Sequence, residues 1–220
     1  PYAWVVVWAT FFALAVIFGV SYSFAAFFAS FASEFAAQRA DVSLVFGLSG
    51  GVYFVFGAGA GMLADRFGPR AVTTAGMLLI AAGLWLCSLA DSMRMVYAAY
   101  GVGVGLGIAL VYTPSIACVQ PWFKARRGLA AGLASAGIGA GTVAVPLMVT
   151  VAIGWWQWRG AMRALALAVL VLGVCATWLL RRAPAARMAP GQAVAGQSLR
   201  ETLRDARFWW LYLSVVLAAP

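Results

Sequence analysis

The chain has 220 residues, of which 65% are apolar and only 10% charged, and it carries a formal net charge of +9. Soluble domains hold about 45–50% apolar and about 25% charged residues, so water is not the main solvent of a chain of this make-up. Histidine is absent, which removes the commonest metal ligand and general base, and the basic residues fall in short loops rather than in a solvated, aromatic-interleaved patch for nucleic acid.

The apolar residues form runs of about 20 or more, each long enough at about 1.5 Å per residue to cross about 30 Å of hydrocarbon. Taken in chain order, the predicted spans run from Trp4 to Phe31, Ser43 to Ala64, Ala71 to Leu89, Met95 to Val119, Gly128 to Ile153 and Ala161 to Leu180. A membrane barrel would show alternating segments of about 10 residues, so helices are the consistent assignment. A basic linker follows over 181–207, with an amphipathic helix expected from Ser198 to Arg207 behind a capping box at Ser198 and Glu201. A new apolar run opens at Phe208 and stops at Pro220, short of the about 20 residues a span needs. The expected layout is therefore a six-helix bundle over 1–180, a linker over 181–207 and the start of a seventh helix over 208–220, within a longer natural product.

Lysine and arginine divide unequally between alternate loops, with eleven on the side of Arg66, Lys124 and Arg181 and four on the side of Arg39, Arg94, Arg159 and Arg163. The positive-inside rule then puts the amino terminus in the cytoplasm. Cys87, Cys118 and Cys175 fall inside apolar runs without a CxxC spacing and read as small packing residues. No phosphate-binding G-x-x-x-x-G-K-[ST] motif is present, no cofactor is implied, and no span holds paired carboxylates or a nucleophile with a base.

After the second span, residues 61–70 read Gly-Met-Leu-Ala-Asp-Arg-Phe-Gly-Pro-Arg. Gly61 permits close helix approach, Gly68 a tight turn, and Asp65 can face a helix N-terminus or an arginine. Read alone, the same stretch could be an ordinary charged turn. The pattern G-x-L-x-D-R-x-G-x-R resembles the signature loop of the major facilitator superfamily. That resemblance implies two inverted three-helix repeats in this half of a 12-helix transporter. It also implies a gating latch involving Gly61, Asp65, Arg66, Gly68, Arg70 and Arg127 at the cytoplasmic face.

Residues 101–107 (Gly-Val-Gly-Val-Gly-Leu-Gly), the Tyr112-Thr113-Pro114 sequence and residues 122–132 (Trp-Phe-Lys-Ala-Arg-Arg-Gly-Leu-Ala-Ala-Gly) are similar to monocarboxylate transporters and their oxalate/formate relatives, a resemblance that implies a break in the fourth helix at Pro114. Animal members carry a lysine in the first span, whereas Trp4 to Phe31 holds no charge, which makes the bacterial branch the closer resemblance. The resemblance implies an inner-membrane secondary transporter of a small organic anion, a monocarboxylate, coupled to protons or to anion exchange. Its partners would be that solute, the lipid bilayer and a carboxyl-terminal half. Efflux of a hydrophobic drug, transport of another small solute and a non-transporting membrane scaffold are the alternatives.

On the first span Ile17, Ser21, Phe24 and Phe28 follow i, i+4, i+7, i+11 and share a face. With Tyr112, Ser135 and Ile138 they form the candidate substrate cavity, although each could equally serve packing. Five glycine pairs four apart (Gly47/Gly51, Gly57/Gly61, Gly103/Gly107, Gly128/Gly132, Gly137/Gly141) are expected to pack helices within the chain rather than to dimerise it.

Overall fold

The computed structural model describes residues 2–123, 125–183, 205 and 210. The predicted capping box at Ser198 and Glu201 and, apart from Trp210, the apolar run from Phe208 lie outside the described residues. The chain divides into a first unit, Pro1–Ala183, and a second, Pro184–Pro220.

Among the described residues the regular structure of the first unit is all helical, with five helices long and apolar enough to cross a membrane. They are α1 (Tyr2–Glu34), α2 (Arg39–Phe67), α3 (Pro69–Cys87), α4 (Met93–Trp122) and α5 (Arg127–Trp178). The first four exceed or match the expected spans by a few residues, because polar residues at the ends stay helical. At the start of α2, for example, Asp41 turns back to accept a hydrogen bond from the Gln38 backbone N–H at 3.1 Å.

The fifth and sixth expected spans both fall on α5. Its 52 residues would measure about 78 Å if straight, more than twice the hydrocarbon thickness. The helix is interrupted at Gln157, whose backbone (φ 57, ψ 175) is non-helical. This residue separates a first arm, 127–156, from a second arm, 158–178.

Two local features differ from expectation. The signature stretch is hardly a loop: α2 continues through Phe67, α3 begins at Pro69, and the whole reversal rests on Gly68 at φ 91. A glycine meets that demand because a Cβ disfavours the left-handed region. The expected break at Pro114 is also not a break, since the α-helical stretch Gly105–Val119 runs through it. The irregular part of α4 is instead the wide π-helical stretch Tyr97–Val104, an arrangement frequent near functional sites.

The bundle is held by close backbone approach and by a few buried polar bonds. A Cβ on Gly141 would lie 2.6 Å from the Ala15 carbonyl carbon, and one on Gly137 would lie 2.8 Å from that of Phe11, so α1 and the first arm of α5 meet backbone to backbone. Gly107 meets α3 in the same way, 2.8 Å from the Gly76 carbonyl oxygen. By contrast Gly47, Gly51, Gly128 and Gly132 face open space. Between helices, the buried Tyr100 hydroxyl donates to the Val20 carbonyl at 2.9 Å, and Thr10 Oγ1 donates to the Ser115 carbonyl at 3.3 Å. Such bonds satisfy polar groups where water is absent.

Burial is uneven. Half of the most apolar window of α1 lies inside the bundle, against 22% for α2, where Phe54, Val55 and Met62 are largely exposed. Cys87 and Cys118 are buried, as packing residues should be, but Cys175 is exposed.

Candidate functional site

Tyr112 on α4 is half-buried and held edge-on by two rings, Phe18 of α1 at 5.6 Å and Tyr53 of α2 at 5.4 Å. The aromatic chain continues from Phe18 to Tyr22 (6.5 Å), from Tyr22 to Phe46 (6.2 Å), and through Phe24 to Tyr100 (5.0 Å). Tyr22 and Phe46 keep much of their surface exposed. Helices α1, α2 and α4 thus share an aromatic face carrying several hydroxyls, suited to a solute with a small apolar body and a polar head.

The candidate cavity residues are distributed unequally over this region. Ile17 is fully buried and Phe24 nearly so, both within the main core. Phe28, Tyr112 and Ile138 are partly buried against that core, and Ser21 and Ser135 are half-buried. The rings that touch or extend from Tyr112 include Phe18, Tyr22, Phe46 and Tyr53, none of them among the candidate residues. Phe18 and Tyr22 are themselves four residues apart, on a helix face beside the one chosen.

The signature residues gather at one end of the bundle. Asp65 is exposed and lines, with Gly61, Pro69, Pro114, Pro121 and Arg182, a cavity of about 350 Å³. The Arg182 guanidinium donates to the backbone carbonyls of Ala64, at 2.5 Å, and of Asp65. A cation on the last carbonyls of α2 meets the negative end of the helix dipole. Arg66 lies over the Phe67 ring at 5.2 Å, and Arg70 over Trp178 at 5.2 Å. Arg127 opens α5 and donates from Nε to the Phe123 carbonyl at 2.7 Å. Among the described residues the Asp65 carboxylate makes no ion pair.

At the opposite end, Arg159 beyond the Gln157 interruption binds Glu34 at the end of α1 and donates to the Ala90 carbonyl at 2.7 Å. Trp158 Nε1 donates to Glu34 Oε2 at 3.3 Å, and Arg163 Nε to Ser88 Oγ at 3.2 Å. In the sequence Arg159 and Arg163 read only as topology signals.

This architecture of long apolar helices, joined at one end by a signature turn, defines a polytopic membrane protein. The Major Facilitator Superfamily model matches residues 10–219. The chain is 36% identical over 179 residues to monocarboxylate transporter 13 of Rattus norvegicus, covering 81% of this chain and 42% of the relative. It is 34% identical over 148 residues to the fujikurins efflux protein of Gibberella fujikuroi, covering 66% and 31%. To monocarboxylate transporter 12 of Homo sapiens it is 44% identical over 100 residues, covering 46% and 19%.

The chain belongs to the Major Facilitator Superfamily. That membership places it among membrane transporters and not among enzymes. It spans less than half the length of these curated relatives.

Proposed function

We propose that the chain is the amino-terminal half of an alternating-access secondary transporter for a small organic anion, a monocarboxylate. The reading rests on one observation above others: the similarity to a monocarboxylate transporter extends over 81% of the chain. In this reading α1 to α4 and the two arms of α5 make six spans in two inverted three-helix repeats, the interruption at Gln157 dividing the fifth from the sixth. The amino terminus and the Asp65 end face the cytoplasm of a cell whose inner membrane holds the protein.

The substrate then lies against the aromatic face around Tyr112, with Ser21, Phe28, Ser135 and Ile138 beside it, while the buried Ile17 and Phe24 back that face from the core. A carboxyl-terminal half supplies the opposing wall and any charge that balances the anion, because no span of this half contains a lysine or arginine deep in its interior. Coupling is to protons or to a counter-transported anion. Asp65, Arg66, Gly68, Arg70, Gly61 and Arg127 form the latch that closes the cytoplasmic side against that other half.

Efflux of a larger hydrophobic solute is the second reading, favoured by the likeness to the fujikurins efflux protein and by the aromatic character of the face. Uptake of radiolabelled short organic acids into vesicles carrying the full-length parent separates the two. Saturable uptake that falls in Tyr112→Phe supports the monocarboxylate reading, whereas no uptake with export of a hydrophobic dye supports the second.

A further inference from the structure

Away from the aromatic face, a long apolar cleft runs between α1 and the two arms of α5. It encloses about 790 Å³ and is lined by Trp8, Phe12, Ala144, Met148, Leu172 and Cys175, among others. Along α1 it reaches from Trp4 to Val16, about 18 Å of helix rise. That is close to the depth of one leaflet's hydrocarbon, half of about 30 Å. Near Val16 and Met148 the space narrows into a smaller apolar cavity of about 220 Å³.

The mouth of the cleft has a different chemistry. Trp4 packs edge-on against Phe123 at 5.3 Å, and Phe123 holds Arg127 through its carbonyl. Beside them, Tyr2 donates its hydroxyl to the Leu179 carbonyl at 2.9 Å and carries Arg181 over its ring at 5.1 Å. The Arg181 backbone is itself pinned, its carbonyl accepting from Trp122 Nε1 at 3.1 Å. Interfacial tryptophan and tyrosine beside arginines, above an apolar slot one leaflet deep, match the headgroup and tail of one kind of molecule.

We propose that this cleft holds an acyl chain of an anionic glycerophospholipid, with its phosphate against Arg127 and Arg181. The two positive charges at the mouth and the apolar walls below select for an anionic lipid over a zwitterionic one. Neither the transported solute nor a second copy of the chain offers both a phosphate and a flexible tail of this reach.

The test uses the purified full-length parent in phosphatidylcholine vesicles containing a trace of phosphatidylglycerol with a diazirine on its acyl chain. After illumination, adducts are mapped by peptide mass spectrometry. They should concentrate on Ala144, Met148, Leu172 and Cys175, and unlabelled phosphatidylglycerol, but not more phosphatidylcholine, should suppress them. The double variant Arg127→Gln with Arg181→Gln should cut the yield roughly thirtyfold, two headgroup charges being lost. Ala144→Trp should remove the adducts, while Leu147→Trp, on an exposed neighbouring position, should leave them. Maleimide on Cys175 of the folded protein should block them without any change of sequence. Adducts spread evenly over all exposed apolar positions, equal suppression by phosphatidylcholine, or cross-links between two chains at the cleft would each overturn the proposal.

Discussion

Arg159 and Glu34 stand 125 residues apart in sequence, yet their side chains meet at 2.5 Å. The same guanidinium lies 4.3 Å from the Trp158 ring centroid and binds the Ala90 carbonyl. Three separate segments are therefore joined through one side chain: the end of α1, the α3–α4 connection and the turn after Gln157. Phe31 and Phe35 pack edge-on against Trp158 at 5.0 and 6.1 Å and exclude water from one side of the cluster.

Because Arg159 serves three contacts and Glu34 fewer, Arg159→Ala should destabilise the protein more than Glu34→Gln. Loss of the charge-assisted bond to Ala90 alone is worth about 1–2 kcal/mol after allowing for exposure. Thermal unfolding in detergent, followed by loss of the monodisperse peak in size exclusion, checks the order. Equal midpoints for the two variants would reduce the cluster to its ion pair.

Gly141 and Gly132 make a matched pair for testing helix contact. Alanine is the better helix former by about 0.8–1 kcal/mol, so Gly132→Ala, which points into open space, should be neutral or slightly stabilising. Gly141→Ala would drive a methyl into the Ala15 backbone and force α1 away from α5. A clear loss of thermal stability is expected for Gly141→Ala alone, and similar stability in both variants would contradict the backbone-to-backbone contact.

For the latch, Asp65→Asn in the full-length parent should slow turnover more than it weakens substrate binding, since Asp65 lies far along α2 from the aromatic face. Gly68→Ala should act differently, straining the backbone at φ 91 and lowering stability by about 1 kcal/mol or more. Initial rates and substrate affinity measured on correctly inserted protein distinguish a gating effect from a folding one. Unchanged rates in Asp65→Asn would remove the carboxylate from the cycle.

Tyr112→Phe keeps the ring contacts to Phe18 and Tyr53 and removes only the hydroxyl. A hydrogen bond to a charged group contributes about 1.5–3 kcal/mol, so substrate affinity should fall at least roughly tenfold at normal expression. Tyr53→Phe is the companion measurement, because Tyr53 reaches the same spot from α2. Wild-type affinity in both variants would assign these rings to packing.

Orientation can be read with impermeant thiol reagents on intact cells in a Cys175→Ser background, since Cys175 is the exposed native thiol. Ala90 is fully buried and makes a poor reporter for the α3–α4 connection, whereas its neighbour Ser92 is exposed. Ser92→Cys should label from outside, and Ala125→Cys, exposed at the other end, should label only after permeabilisation. The reverse pattern would invert the proposed topology.

Much of the helical layout was legible because apolar runs ended on charged residues, as at Arg39, Arg66 and Arg94. The ends were less so: hydropathy treats Gly154 to Gly160 as a gap, but backbone hydrogen bonding continues until only Gln157 departs. The five glycine pairs looked alike in sequence, and only the neighbouring backbone tells Gly137 and Gly141 from Gly128 and Gly132. Tyr112 was visible as an aromatic beside a proline, yet its ring partners come from two other helices, and no spacing rule reports such a meeting. The Glu34 to Arg159 pair was invisible for the same reason, with each charge explained well enough by topology alone.

The interruption at Gln157 also bears on how the protein can be engineered. With one non-helical residue between Trp156 and Trp158, the polypeptide kinks there without slack. A tag, reporter or protease site spliced into that position would have to prise Trp158 and Arg159 from Glu34 before it could emerge. The stretch around Asp91 and Ser92, exposed and outside any helix, is the gentler place for such cargo on that surface.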